Sequence, residues 1–301
     1  MRAALLVLAL AAGCTPGAYQ YLPEAQAAPA RAAFVPPVGL SKLRLGLVPY
    51  VSADTMRATH GKLAQHLAKE LGVEIELVVG SDYDAVGGLL ARGEVDFAEL
   101  SPYVYVRAKE KGKLRPLVMA IADGSDTAAS YIVVKRDSPY LRVEDLKGQA
   151  FGYVDQASAS GFLLPRKYLR EHGFDVEKDF KETLILGSHE AVLQAVLDGR
   201  VAAGGTYQGA FAAMRRKGVD PLSFRVIGKT ARSPRDLYVA RADLPGEVSE
   251  ALKRLLLEVS SRTPQGRDLL SPMGINGYVP ADDRAYAEVE QAHQAEVGNA
   301  P

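Results

Sequence analysis

The amino-acid sequence predicts an α/β fold with two lobes. A run of strand, helix, strand, helix and strand extends from Leu43 to Leu100, and a second run of the same kind extends from Ala150 to Thr206. Such alternation is typical of a mainly parallel sheet covered by helices. The chain has 301 residues, and a single hydrophobic core stops growing at about 250–300 residues. The two runs are therefore expected to form separate lobes.

Local patterns define the elements of the first run. Leu43, Leu45 and Leu47 alternate with polar or small residues, which predicts a strand. Gly72 follows an apolar helical pattern and acts as its C-terminal cap. After the first strand, the predicted elements are helix Thr55–Leu71, strand Val73–Val79, helix Tyr83–Arg92 and strand Val95–Leu100.

The second run is preceded and followed by further strands. We expect the chain to cross to the second lobe near Tyr131 to Asp137 and to return near Arg232 to Tyr238. Residues 42–134 and 236–301 would form the first lobe, and residues 135–235 the second. The predicted elements are strand Ser130–Lys135, a short helix Val143–Lys147, strand Ala150–Val154, helix Gly161–His172, strand Thr183–Leu186, helix Glu190–Asp198, strand Val201–Thr206, strands Val226–Ile227 and Leu237–Ala240, and helix Glu247–Ser260.

The amino terminus has the features of an export signal. A basic start, the apolar run Ala3 to Ala12 and small residues before Cys14 predict a signal peptide over residues 1–13. The segment Ala11-Ala12-Gly13-Cys14 resembles the lipobox of bacterial lipoproteins, in which the cysteine becomes the lipidated first residue. The alternative is a plain signal peptide. Residues 14–41 are rich in Ala and Pro, which predicts a lipidated amino terminus and a linker to the first lobe.

Composition and motifs disfavour several function classes. Lysine plus arginine equals aspartate plus glutamate at 36 each, so the net charge does not indicate nucleic acid as a partner. The sequence has no G-x-S-x-G elbow, P-loop or H-E-x-x-H motif, and its five histidines have no metal-ligand spacing. We therefore expect no metal, no cofactor and no catalysis.

The best candidate for a binding site is the turn Asp155 to Gly161, between a strand and an apolar helix. Open α/β sheets bind ligands at strand ends, and a helix start offers free N–H groups to an anion. Ser158 and Ser160 add hydroxyls, and Gly161 would let a ligand approach the backbone. The alternative is an ordinary serine N-cap that binds nothing.

Three more strand-to-helix junctions carry polar residues. His189 follows Gly187-Ser188 and could donate to the same anion, or it could face solvent beside a capping Ser188. Asp54-Thr55 and Ser81-Asp82-Tyr83 occupy similar places in the first run and have the same two interpretations. Four such junctions on two lobes could face one cleft.

The order of these motifs resembles that of a known family. The sequence is similar to the phosphate, phosphite and phosphonate substrate-binding proteins of ABC transporters, the PhnD-like family, from roughly Leu43 to Tyr278. The resemblance implies the type II periplasmic-binding-protein fold, with two α/β lobes joined by two crossover strands and closing by a hinge. The matching segments are Leu43 to Tyr50, Ser81-Asp82-Tyr83, Gly93 to Ala98, Asp155 to Gly161 with Pro165, and Gly187 to Glu190.

The resemblance also implies a ligand site. Phosphonate-binding members hold the phosphonate with a Ser-Thr-Ser-Gly turn and a histidine, and the matching residues here are Ser158, Ala159, Ser160, Gly161 and His189. Ala159 removes one hydroxyl and leaves the backbone amides in place.

Other family positions concern the ligand's far end. Members that bind an aminoalkylphosphonate hold its amine with tyrosines and carboxylates. Tyr83 and Asp236 match two of these positions, whereas Ala128 and a residue near Gly209 occupy the others, and neither can hold an ammonium group. The resemblance thus favours a phosphonate, phosphite or phosphate without a cationic tail, and Tyr50 and Ser101 are expected to close over it from the first lobe.

The implied function is capture of this oxyanion in the periplasm or at the cell surface for an ABC permease and its ATPase. Two other functions stay open. The same fold occurs in biosynthetic enzymes such as those of the futalosine route to menaquinone, which are cytoplasmic. A lipoprotein that senses a ligand for a signalling partner would have the same sequence features.

Overall fold

The protein is described by a computed structural model that covers residues 33–298. The predicted signal peptide, Cys14 and most of the predicted linker lie outside the described residues. Residues 33–41 contain a turn but neither helix nor strand. Phe34 and Leu40 in this stretch pack against the core of the first lobe.

The first lobe contains a mixed sheet of six strands. β1 pairs in parallel with β2 and β3, and β10 and β11 join antiparallel on the other side, in the order β11-β4-β10-β3-β1-β2. The leucines that alternate in β1 are fully buried. The strands are β1 Lys42–Leu47, β2 Glu74–Val79, β3 Phe97–Leu100, β4 Leu114–Ile121, β10 Leu237–Arg241 and β11 Gly277–Pro280.

The second lobe contains a sheet of five strands in the order β7-β6-β8-β5-β9. β6 pairs in parallel with β7 and β8, and β5 runs antiparallel to β8 and β9. The strands are β5 Thr127–Lys135, β6 Ala150–Tyr153, β7 Glu182–Ile185, β8 Ala203–Tyr207 and β9 Phe224–Pro234. The prediction of two α/β lobes is confirmed.

Nine α-helices cover the two sheets within the described residues. A π-helical turn, Ala159–Leu163, directly precedes α4. The helices are α1 Ala53–Leu71, α2 Tyr83–Ala91, α3 Pro102–Lys111, α4 Leu164–Glu171, α5 His189–Leu197, α6 Gln208–Arg216, α7 Gly246–Glu258, α8 Pro264–Leu270 and α9 Ala287–Gly298. No helix within residues 33–298 is long and apolar enough to span a bilayer.

The chain passes between the sheets through two short segments. Residues 122–126 lead from β4 to β5, and Arg235-Asp236 lead from β9 to β10. The Arg235 side chain joins the segments, because Nε donates to Ser125 O at 2.9 Å and Nη2 donates to Ala122 O at 3.1 Å. Hydrogen bonds from Arg235 therefore join the two crossover segments where they pass between the sheets.

The first crossover lies earlier than the sequence predicted. All of β5 belongs to the second sheet, whereas residues 127–134 were expected in the first lobe and the crossover was expected near Tyr131. The misplacement has a physical reason: Thr127 to Ser130 are polar or small and give a weak strand pattern. Arg235-Asp236 lead from β9 to β10, and the lobe boundaries stay a prediction.

Sequence patterns also missed β4. Pro116 lies within this strand, and proline removes a donor that a central strand needs. In the structure Pro116 pairs with Val239 at a place where the register between β4 and β10 shifts. The irregular pairing accommodates the missing N–H, which is why a proline occurs inside a six-stranded sheet.

Candidate functional site

The turn after β6 forms the start of the π-helical segment. Ser158 is its N-cap, and the Ser158 hydroxyl accepts a hydrogen bond from Gly161 N at 3.0 Å. Ser158 therefore caps this segment, and the Gly161 amide is already engaged. Ala159 and Ser160 occupy the first two helical positions, where N–H groups have no partner within the helix.

Gly161 is required by packing in addition to any ligand contact. A Cβ at this position would lie 2.3 Å from Val154 Cγ2 and 2.5 Å from Val154 Cβ. Gly205 on β8 is also closely packed, since its Cβ would lie 3.0 Å from Gly161 O. These glycines let the turn rest directly on the sheet, which explains Gly161 without assuming contact with a ligand.

His189 lies beside this turn as the first residue of α5. Its Nε2 is 3.3 Å from the Ser160 hydroxyl and its Nδ1 is 3.1 Å from the Thr206 hydroxyl. The ring is 3% exposed and lies edge-on to Tyr207. Burial lowers the pKa of His189 to about 3, so the imidazole is neutral at pH 7 and can act as both donor and acceptor.

Tyr83 brings the first lobe against this turn. It is the first residue of α2, and its hydroxyl is buried without a hydrogen-bond partner in the described structure. Burial raises the pKa of Tyr83, and the nearby Ser158 hydroxyl opposes that shift. Burial also raises the pKa of Asp155. Hydrogen bonds from the backbone N–H groups of Ala157 and Tyr83 act in the opposite direction and lower it. The two lobes therefore meet at Tyr83 and the Asp155–Ser158 turn.

A shared apolar cluster confirms that the lobes are in contact here. Ala157, Ala159 and Leu163 from the second lobe pack in one buried cluster with Tyr83 and Tyr103 from the first. The Tyr83 hydroxyl, which has no hydrogen-bond partner among the described residues, is thus buried where the two lobes meet.

Other predicted polar residues serve as helix caps. Ser101 caps α3, with its hydroxyl 3.5 Å from Val104 N, and no hydrogen bond joins it to the Ser160–His189 pair within the described residues. Asp82 caps α2 through Ala85 N at 2.8 Å. Asp54 lies in the first turn of α1 and is exposed, and Ser52 is the residue that caps this helix.

Tyr50 and Asp236 lie on the first-lobe side and at the return crossover. Tyr50 Oη is 3.5 Å from His60 Nε2. Burial raises the pKa of Tyr50, and the charges of Glu99 and Asp236 raise it further. Tyr50, Asp236 and the second-lobe residue Tyr207 are near enough to interact electrostatically.

Sequence reasoning missed a buried His60–Glu99 pair beside these residues. His60 Nε2 lies 2.7 Å from Glu99 Oε2, and His60 Nδ1 lies 2.9 Å from the Met56 carbonyl oxygen. Both ring nitrogens therefore lie within hydrogen-bond distance of an oxygen that can accept a proton. Burial is the largest single influence and lowers the pKa of His60, but the charge and hydrogen bond of Glu99 together with the Met56 carbonyl and Asp236 outweigh it, so the net shift is upward. The contact with Glu99 therefore favours the protonated form of His60.

Two signals could have revealed this pair. Glu99 interrupts an otherwise apolar strand that is buried throughout. His60 lies within the buried stripe of α1, one helical turn after Met56.

Asp236 is a carboxylate whose pKa is raised far above its ordinary value. Burial, together with the negative charge of Glu99, raises the pKa of Asp236 to about 7, against the opposing charge of Arg235. No group of three or more His, Cys, Asp or Glu side chains within residues 33–298 could hold a metal ion. The polar groups at this place are suited to binding a small ligand by hydrogen bonds.

Replacing Asp236 with Asn should make the free energy of unfolding less dependent on pH. The pKa of Asp236 is near 7 in the folded protein against an ordinary value of 3.8, so wild type loses stability as pH rises from about 4 to about 7. The Asn variant lacks this loss and should gain at most about 4 kcal/mol over wild type by pH 8. Urea unfolding between pH 4 and pH 8 measures the difference.

Asp54→Asn is the control for this measurement, because the Asp54 side chain is fully exposed. Its stability should follow the wild-type curve. Parallel curves for wild type and Asp236→Asn would show that the Asp236 carboxyl is not perturbed.

Comparisons with known proteins identify the family and the fold of this chain. A family model described as "ABC transporter, phosphonate, periplasmic substrate-binding protein" matches residues 45–286. The chain is 28% identical over 228 residues to the phosphate-import protein PhnD of Mycolicibacterium smegmatis, covering 72% of this chain and 71% of that protein. It is 24% identical over 255 residues to the phosphonates-binding periplasmic protein of Escherichia coli, covering 83% and 75%.

The fold matches a solved structure of PhnD1 from Prochlorococcus marinus in complex with methylphosphonate. The TM-score is 0.78 with 19% identity, over 85% of this chain and 98% of that chain. The two-lobed type II fold implied by the sequence resemblance is confirmed. Because the family model spans most of the chain, this protein belongs to the phosphonate periplasmic substrate-binding proteins of ABC transporters, a family of binding proteins and not of enzymes.

Proposed function

We propose that the protein is an extracytoplasmic lipoprotein that binds a small phosphorus oxyanion, a phosphonate, phosphite or phosphate, between its lobes for an ABC permease and its ATPase. The oxyanion would lie against the Ala159 and Ser160 amides, the Ser160 hydroxyl and His189. Tyr83 would contact it from the first lobe, with Ser158 and Gly161 shaping the turn. Tyr50, Ser101 and Asp236 are proposed to line the rest of the site.

The observation that carries this proposal is the Ser160–His189 pair at a helix start. The Ser160 hydroxyl and His189 Nε2 lie 3.3 Å apart beside the first N–H groups of the π-helical turn. A helix amino terminus attracts an anion through its free N–H groups and its dipole. Among the relatives, the one from M. smegmatis is named for phosphate import and the one from E. coli for phosphonates.

The electrostatics around Glu99 and Asp236, where the end of the ligand away from the oxyanion would lie, favour a ligand without a cationic tail. An ammonium group is held well by carboxylates whose charge is not already compensated. Glu99 is paired with His60 at 2.7 Å, and the pKa of Asp236 is about 7. Neither carboxylate offers a full uncompensated charge at neutral pH.

A ligand-sensing lipoprotein for a signalling partner is the second candidate function. It would use the same interlobe site. Co-purification with a permease and its ATPase would support transport, and co-purification with a membrane kinase would support sensing.

Thermal unfolding with candidate ligands tests the binding proposal. The full chain carrying Cys14→Ser avoids a lipid tail. Phosphate, phosphite, methylphosphonate, 2-aminoethylphosphonate and sulfate would be compared, followed by calorimetry on each hit. A ligand at about 100 times its Kd adds about 2.7 kcal/mol of stability. At least one phosphorus oxyanion should raise the Tm; no response to any of them would refute the substrate assignment.

The Ser160→Ala variant should bind the best ligand more weakly by about 1–2 kcal/mol, the contribution of one hydrogen bond to a charged group. Ser160 is half-buried and does not cap the helix, so its Tm without ligand should change little. Calorimetry measures the Kd. Ser271→Ala, at an exposed serine of the first lobe, is the control and should bind like wild type. An unchanged Kd for Ser160→Ala would remove Ser160 from the site.

The Cys14→Ser variant tests the proposed lipid anchor. Lipidation needs the cysteine thiol, so this substitution should move the protein from the membrane fraction to the soluble fraction of the cells. Fractionation with immunodetection measures the distribution. Equal partitioning of wild type and variant would support a plain signal peptide instead.

A further inference from the structure

The carboxyl-terminal segment, residues 283–298, is attached to the first lobe by a series of polar contacts. Tyr105 Oη donates to Asp283 Oδ1 at 2.7 Å, and Lys109 Nζ donates to Glu290 Oε1 at 2.7 Å. The same α3 helix reaches His293, whose Nδ1 is 3.0 Å from Tyr103 Oη. Helix α9 therefore belongs structurally to the first lobe.

This segment also contacts the crossover segments that Arg235 joins. Tyr286 is fully buried, and its hydroxyl donates to the carbonyl oxygen of Arg235 at 3.3 Å. The segment thus begins at the place where the two sheets are connected and continues along α3. The contact between Tyr286 and Arg235 therefore fixes the start of the segment at the crossover between the two sheets.

The other end of the segment contacts the second lobe through Glu296. Arg166 Nε donates to Glu296 Oε1 at 2.8 Å, and Arg170 Nη1 donates to Glu296 Oε2. Each carboxylate oxygen therefore has its own guanidinium. The Glu296 side chain is 14% exposed and that of Arg166 is 7% exposed, so solvent screens this contact less than a surface ion pair.

The two arginines lie on the helix that continues from the proposed anion turn. Helix α4 follows the π-helical turn directly. The Arg166 guanidinium also donates to Glu177 and stacks over Phe162, with 4.8 Å between its carbon and the ring centroid. Any rotation of the second lobe about the crossover would move α4, and with it both guanidinium groups, relative to Glu296.

We propose that Glu296, Arg166 and Arg170 form an interlobe latch that favours the closed arrangement of the lobes and thereby raises ligand affinity from outside the ligand site. The closure part is independent of ligand identity, and the affinity part rests on the proposed function. The latch closes with the lobe contact at Tyr83 and opens when the lobes separate. Arg166 and Arg170 move with the anion turn, because α4 continues directly from it, whereas Glu296 belongs to the first lobe.

The physical basis is a shift in population. A ligand that needs contacts from both lobes binds the closed form, and its apparent Kd increases as the closed fraction falls. Without the Glu296 charge, the guanidinium groups of Arg166 and Arg170 share Glu177 as their carboxylate partner. Both guanidinium groups are largely buried, whereas the Glu177 side chain is half exposed. Separation of the lobes then restores water to these groups, which favours the open form.

The test uses Glu296→Gln, which keeps the side-chain size and removes the charge. Arg170→Gln is a second, milder variant, since the Arg170 side chain is 26% exposed. Glu171→Gln is the matched control: it removes the exposed Lys167–Glu171 pair on the same helix without touching the latch. All variants are made in the full chain with Cys14→Ser, which removes the one native cysteine.

The interlobe distance is measured first, without ligand. Cysteines introduced at the exposed positions Glu70 on α1 and Glu182 on β7 carry spin labels for a pulsed electron-resonance distance measurement. Glu296→Gln and Arg170→Gln should shift the distance distribution away from that of wild type, and Glu171→Gln should not. Circular dichroism confirms that each variant is folded.

Affinity is measured second, by calorimetry with the ligand that wild type binds best in the screen. The latch variants should bind about 5- to 10-fold more weakly, at the lower end of typical coupling between distant sites. Distance distributions identical to wild type in both folded latch variants would overturn the proposal. Because the distance measurement needs no ligand, it is decisive even if no phosphorus oxyanion binds.

Discussion

The arrangement of the protein depends on the hydrogen bonds that Arg235 makes between the two crossover segments. Its guanidinium joins the carbonyl oxygens of Ala122 and Ser125, so the two chain passages between the sheets are held as one unit. Asp236 follows directly, and the Tyr286 hydroxyl contacts the Arg235 carbonyl oxygen. The connection between the lobes, one wall of the candidate site and the carboxyl-terminal segment therefore share one anchor.

Charge at the interlobe site is largely neutralised before any ligand arrives. His189 is neutral because burial lowers its pKa to about 3, and Glu99 is compensated by His60. The other polar groups where the two lobes meet are dipoles and hydrogen-bonding groups. They include the Tyr83 hydroxyl, which has no hydrogen-bond partner among the described residues. These groups can offer directed hydrogen bonds to the oxyanion that we propose as the ligand, while the net charge of the chain is zero.

The candidate site could be predicted in part because some of its members are local. Ser158, Ser160 and Gly161 lie in one turn, and a strand followed by serines and an apolar helix is recognisable from the sequence. His189 also follows a strand end, so its place near that turn could be expected. The roles within the turn could not: Ser158 is the cap, Ser160 faces His189, and Gly161 is required by Val154.

The sequence by itself determined the alternation of strands and helices, hence two α/β lobes, since hydrophobic periodicity is a local property of the chain. Only the tertiary structure decided which sheet receives β5, how β4 includes Pro116, and which distant residues meet. Glu99 and His60 are 39 residues apart, and Arg166 and Glu296 are 130 apart. The physical reason is that pairs at such separations form when whole elements pack, and no periodic pattern records them.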